Sequence, residues 1–265
     1  MFALRSGLPA ALFALTALGA CATTQGANVD ATGALADARP VDRQARQRIV
    51  REDMLTQMAF WAGEYQTFPN DLEAAQRFAD ALRRGGRVDR AVQIAGEAIG
   101  RFPDDKQLLT TYGLAQISGG RPQEALRPLA LVAAAEPENW RVRSALGAAL
   151  DQLGRFTEAR RAYQEALALQ PNDPRILTNM GVSHILAGEA EEAEAILRQA
   201  ASIANAPIEA RQNLSVAIAL QGRFDEAEQV ARVDLPPTEA AANVAYLRSL
   251  LTDSRRWGDL GGDES

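Results

Sequence analysis

Five glycines of this 265-residue chain stand at 86, 120, 154, 188 and 222, each 34 residues after the last. The sequence repeats around them. GRFTEAR at Gly154 to Arg160 returns as GRFDEAE at Gly222 to Glu228, with looser versions starting at Gly86, Gly120 and Gly188. A fixed period of this length describes one supersecondary unit stacked in register, because so short a unit cannot bury its apolar face alone. Composition chooses the unit. Aromatic residues are only 6% of the chain, and Ala, Leu, Gln, Glu and Arg dominate. These are helix formers, and the Val, Ile, Thr and Tyr runs of strands are missing.

Blocks of 34 begin at Leu72, Lys106, Trp140, Pro174 and Ile208. Position 20 is Ala91, Ala125, Ala159, Ala193 and Ala227, and position 8 is Ala79, Gly113, Gly147, Gly181 and Ser215. Side chains this small let two antiparallel helices approach closely. The glycine at position 15 suits a left-handed residue that ends the first helix. Thr157, Glu158, Asp225 and Glu226 are expected to cap the second helix and set negative charge at its start. Pro103, Pro137 and Pro171 stop that helix, and Asp104-Asp105 or Asn172-Asp173 cap the next one. From Leu72 to about Val233 this pattern resembles the tetratricopeptide repeat. The resemblance implies an all-α solenoid of helical hairpins.

The flanks depart from the pattern. TFPND at Thr67 to Asp71 sits one period before RFPDD, so a degenerate unit precedes the first block. Val50, Met54, Met58, Trp61 and Tyr65 recur at helical spacing and are expected to form one stripe of an N-terminal capping helix. After Pro236-Pro237, Thr238 is expected to cap a last helix with Val244, Leu247 and Leu251 on its buried side. The organisation read here is a leader over 1–20, an acylated cysteine and tether over 21–40, and a capping helix with degenerate repeat over 41–71. Five repeats follow over 72–235, then a C-terminal capping helix over 236–252 and a loose tail over 253–265.

The leader ends in Leu18-Gly19-Ala20-Cys21, after an apolar run too short to span a bilayer. It resembles the lipobox of bacterial lipoproteins, which implies that Cys21 carries lipid. Ala22, rather than an inner-membrane-retaining aspartate, follows it, so the resemblance points to the periplasmic face of the outer membrane. Residues 22–40 are small and polar, with no apolar period to bury, and are expected to act as a flexible tether.

Little in the chain could be catalytic. There is no glycine-rich phosphate loop, nucleophile elbow or paired-histidine zinc motif. His184 is the sole histidine, at a position expected to pack structurally, and Cys21 is the sole cysteine. A transition-metal site would therefore have few ligands to draw on, and no cofactor or small-molecule substrate is expected. A net charge of −6 argues against a nucleic-acid surface.

What remains is protein binding. The resemblance implies a concave groove lined by positions 2, 5, 6, 9, 12 and 13 of each first helix. Carried over, these give Leu114, Val182 and Val216 at position 9, and Ile117, Asp151 and Ile185 at position 12. Arg175 stands at position 2, and Asn179 and Asn213 at position 6 offer amides to a bound backbone. Asp80 and Arg83 charge the N-terminal end. The alternative reading of the apolar members is support for neighbouring helices. Position 5 reads Gln76, Thr110, Ser144, Thr178 and Gln212, without the basic residues with which chaperone-binding relatives clamp a carboxylate.

The stretch from Gln212 to Leu251 resembles the end of the TadD family, lipoproteins of tight-adherence (Flp-type) pilus systems, and DLPPTEAAANVAYLR, residues 234–248, is its distinctive part. That resemblance implies an outer-membrane-anchored assembly scaffold whose partners are the pilus secretin or other assembly components. The alternative is a periplasmic adaptor presenting cell-wall hydrolases or proteases.

Overall fold

The structure, a computed structural model, describes residues 40–252. The expected leader, Cys21, all of the tether but Pro40, and the 253–265 tail lie outside the described residues. Within them are 13 helices and no strand. We number them α1 (Arg43–Ile49), α2 (Met54–Thr67), α3 (Leu72–Arg84), α4 (Val88–Arg101), α5 (Lys106–Ser118), α6 (Pro122–Ala135) and α7 (Trp140–Gln152). Then follow α8 (Phe156–Leu169), α9 (Pro174–Leu186), α10 (Ala190–Ser202), α11 (Ile208–Leu220), α12 (Phe224–Ala231) and α13 (Pro237–Thr252).

Five hairpins, α3–α4 through α11–α12, are built alike because their elbows are. Each elbow glycine has a positive φ, from 68° at Gly120 to 79° at Gly188. The residue after it returns its N–H to a carbonyl in the helix just ended, as Arg155 does to Leu150 at 2.9 Å and Glu189 to His184 at 2.9 Å. This closes the helix end that a β-carbon at the glycine would strain. The expected side-chain caps of the second helices are absent. Arg87, Arg121, Arg155, Glu189 and Arg223 occupy the cap positions without a capping hydrogen bond. Glu158, Asp225 and Glu226 sit in the first turn, where their charge still opposes the helix dipole. The first helices of the first four hairpins carry side-chain caps, while Pro207 precedes α11 without one. Asp71, Asp105, Asn139 and Asp173 accept from Ala74, Leu108, Val142 and Arg175 N–H groups. Asn172 itself turns left-handed, at φ 58°.

First helices of successive hairpins touch one another, while second helices of successive hairpins are spread apart. The stack therefore curves, with first helices on its inner face and second helices outside. Small residues set the spacing inside each hairpin. Ala91, Ala125, Ala159, Ala193 and Ala227 are fully buried. A β-carbon on Gly113, Gly147 or Gly181 would stand 2.6, 2.5 or 2.5 Å from Leu129, Tyr163 or Leu197.

The N-terminal stripe is not one helix. α1 stops at Ile49, Asp53 caps α2 by accepting from Leu55 and Thr56, and Val50 is left exposed between them. Met54, Met58, Trp61 and Tyr65 do share α2, with Trp61 and Tyr65 buried. A buried arginine ties α1 down: Arg46 reaches Glu64 at 2.6 Å, Asp71 at 2.5 Å and Glu73 at 3.0 Å, and lies over the Trp61 ring. At the other end Arg211 holds Asp234 through two bonds of 2.6 Å. α13 begins at Pro237, so Thr238 lies inside its first turn rather than capping it. Val244 is buried against α11 and α12, with Leu247 beside it and Leu251 half-buried.

Candidate interaction groove

The inner face presents residues at fixed block positions because every first helix meets the next in one register. Near its start a hollow of about 360 Å³ is lined by Asp80, Gln107, Thr110, Leu114 and Asn139. These come from positions 9, 2, 5, 9 and 34 of successive blocks. Near its end α11 and α13 enclose a second hollow of about 420 Å³, which includes Asn213, Val216, Leu235, Asn243 and Tyr246. The described residues thus place Leu114 in the first hollow, and Asn213 and Val216 in the second. Asn213 makes no side-chain hydrogen bond among them, and Tyr246 is 62% exposed.

The other expected groove residues are distributed between surface and support. Leu114 and Ile117 also pack against the cluster around Leu129, and Ile185 against the one around Ile218. Val182 is half-buried. The Asn179 amide donates to Ser144 Oγ at 3.2 Å, leaving its second N–H and its carbonyl oxygen. Arg175 is exposed but committed at its head. Its guanidinium donates to both Asp173 oxygens and lies 4.8 Å from the Trp140 ring centroid. Those bonds hold the Asp173 carboxyl below its ordinary range against the opposing effect of burial. Arg141, 4.4 Å from the same ring centroid, has no acidic partner among the described residues. Two arginines at position 2 of successive blocks thus gather over one tryptophan, a cluster the sequence reading missed apart from Arg175. Two arginines within one period of Trp140 were the signal available.

Asp151 departs from its expected place in the groove. It is 7% exposed, and its carboxylate accepts from Ser183 Oγ at 2.6 Å and from the Tyr163 hydroxyl at 2.8 Å. The Ser183 bond joins the fourth hairpin to the third, and the Tyr163 bond ties the two helices of the third together. Burial pushes the Asp151 carboxyl up, opposed by the two hydroxyls and by Arg160 and His184 nearby. Burial and the adjacent carboxylate push the Tyr163 phenol up as well. His184 is partly buried, with Nδ1 2.6 Å from Glu189.

A carboxyl whose folded pKa is raised binds its proton more tightly in the folded chain. Its contribution to stability is full below the ordinary aspartate value and is lost as pH rises through the raised one. Asp151→Asn, still able to pair with both hydroxyls, should therefore gain on the parent as pH climbs through that interval. Chemical denaturation of both chains across the acidic range measures it; parallel pH profiles would contradict the assignment.

Among the described residues no group of three or more His, Cys, Asp or Glu is placed to hold a metal ion, and no helix is long and apolar enough to cross a membrane.

Family models described as tetratricopeptide repeat match residues 77–139, 116–180, and 174–199 with 209–232. No curated protein matches. Among solved structures, MamA (MSR-1) is 31% identical, over 56% of this chain and 85% of that one, with a TM-score of 0.48. MamA (AMB-1) is 28% identical over 60% and 93%, with a TM-score of 0.50. The thermophilic repeat protein TTC0263 of Thermus thermophilus is 23% identical over 66% and 97%, with a TM-score of 0.58.

Proposed function

Since the chain belongs to the tetratricopeptide-repeat family, whose members serve as protein-interaction scaffolds, we propose that it assembles a pilus secretion machine of the tight-adherence (Flp) type. In this reading Cys21 carries lipid, the outer membrane holds the protein on its periplasmic side, and the partner is the secretin or an associate. The observation that carries the reading is the TadD-like segment 234–248, whose Leu235, Asn243 and Tyr246 line the terminal hollow with Asn213 and Val216. The groove residues are Leu114, Ile117, Arg175, Asn179, Val182, Ile185, Asn213 and Val216. Apolar side chains there bury against the partner, and the asparagine amides take its backbone groups.

Capture from detergent-solubilised envelope tests this, with a secretin expected in the eluate. Val182→Glu with Asn213→Ala should abolish most of the capture and leave helical content unchanged. Arg161→Glu with Gln199→Ala, both on the outer face, should leave capture intact. The reverse pattern would move the binding surface to the outside. In cells, Cys21→Ser should shift the protein from the membrane pellet to the soluble fraction while it stays folded by circular dichroism. A deletion strain that keeps its pili but disturbs cell-wall turnover would favour the hydrolase-presenting adaptor instead.

A further inference from the structure

On the first helices of the five hairpins, every basic side chain but one lies within 4.0 Å of a carboxylate, as Arg83 does of Asp80, Arg143 of Glu165 and Arg211 of Asp234. The exception among the described residues is Arg141. Its exposed guanidinium lies over the Trp140 ring instead, 4.4 Å from the centroid, with that of Arg175 at 4.8 Å. Trp140 is the one aromatic residue at position 1, where the other blocks carry Leu72, Lys106, Pro174 and Ile208. It is half-buried against the cluster around Tyr163 and Ile176, which makes the ring a fixed platform. Arg175 donates to Asp173 through Nε and Nη2, and its Nη1 makes no hydrogen bond among the described residues.

The register turns Arg141 toward the inner face. Gln107, Thr110 and Leu114, at positions 2, 5 and 9 of the second block, line the first hollow. Arg141 holds position 2 of the third block and Arg175 position 2 of the fourth, with Ala148 and Val182 at position 9.

We propose that Arg141, on its tryptophan platform, receives the carboxylate of a single acidic residue on a protein segment lying along the inner face, a proposal that rests on the reading that this face binds protein. A carboxylate accepts two parallel N–H groups of a guanidinium at once. An arginine laid on an aromatic ring has less rotamer freedom to lose than a free one, so it meets that carboxylate at lower entropic cost. Leu114 before it and Val182 after it carry no charge, so the acidic residue should be flanked by apolar ones. The net charge of −6 repels a polyanion at long range, which sets such a segment apart from a nucleic acid or a polyphosphate.

NMR titration of the full chain, followed at the Trp140 indole N–H, tests the assignment. The probe is a capped nonapeptide of serine and valine with one central glutamate, compared with the same peptide carrying glutamine. The glutamate peptide should bind about threefold to fivefold more tightly, the gain of one exposed charge pair. High salt should close the gap. Arg141→Gln should erase the preference, and Arg141→Lys, which keeps the charge without the fork, should retain part of it. Because Arg141 is exposed and unpaired, both variants should stay folded by circular dichroism. A glutamate peptide that does not bind, or binds no better than the glutamine one, overturns the proposal. A preference that survives Arg141→Gln overturns it too, as does polyphosphate binding more tightly at this indole than the glutamate peptide. Envelope capture is a separate measurement: a secretin missing from the eluate while the glutamate preference holds would fault the pilus reading alone.

Discussion

Asp151→Ala should destabilise the fold by about 1–3 kcal/mol at neutral pH, measured by chemical denaturation. The substitution removes the acceptor of two buried hydroxyls, and a buried polar group left without a partner costs roughly 1–3 kcal/mol. Ser183 can recover by turning its hydroxyl to a carbonyl of its own helix. Tyr163, 1% exposed and reaching only Asp151, cannot. Most of the loss therefore belongs to the phenol, and Tyr163→Phe in the Asp151→Ala background should regain part of it. Because repeats contact only their neighbours, the transition should also broaden or split at the joint of the third and fourth hairpins. A variant as stable and as cooperative as the parent would show that the joint does not depend on this carboxylate.

Gly147→Ala should lower stability although alanine is the better helix former. The added β-carbon would lie 2.5 Å from Tyr163 Cε1 and 2.7 Å from Cζ. The ring cannot withdraw, since it is buried and its hydroxyl is bonded to Asp151. Overpacking of this kind costs about 1–3 kcal/mol, against roughly 1 kcal/mol gained in propensity. A net loss of up to about 2 kcal/mol is expected. Gly63, in α2, has nothing within 4 Å of its would-be β-carbon, so Gly63→Ala should gain roughly 0.5–1 kcal/mol. Equal effects at the two sites, read from thermal or chemical unfolding, would refute close approach as the reason for glycine at position 8.

The period makes the hairpins legible in the sequence, because elbow glycine, small interior residue and aspartate cap each act within one hairpin or one turn. Legibility ended where a side chain's partner lies in another hairpin. Asp151 occupies a position that is Ile117 and Ile185 in adjacent repeats, so block arithmetic assigned it to the groove; only the approach of Ser183, 32 residues on, reveals it as buried. Val50 fitted a helical spacing, yet Asp53 bonds the backbone ahead of it and starts a new helix there. Thr157 and Thr238 looked like caps by residue type, but Arg155 precedes one and the other follows Pro237 into the helix. Arg46 gave no sign, because its three carboxylates lie 18, 25 and 27 residues away.

The bond from Tyr163 through Asp151 to Ser183 also distributes bending stiffness unevenly along the stack. Apolar contacts resist separation but have no preferred direction, so helices joined by them can slide and tilt at small cost. A hydrogen bond weakens with angle as well as with distance. The joint of the third and fourth hairpins should therefore hold its curvature, and so should that of the fourth and fifth, where Gln221 and Arg223 donate to Glu194. Ser144, Asn179 and Val182 border that stiff segment, so this part of the inner face keeps one shape.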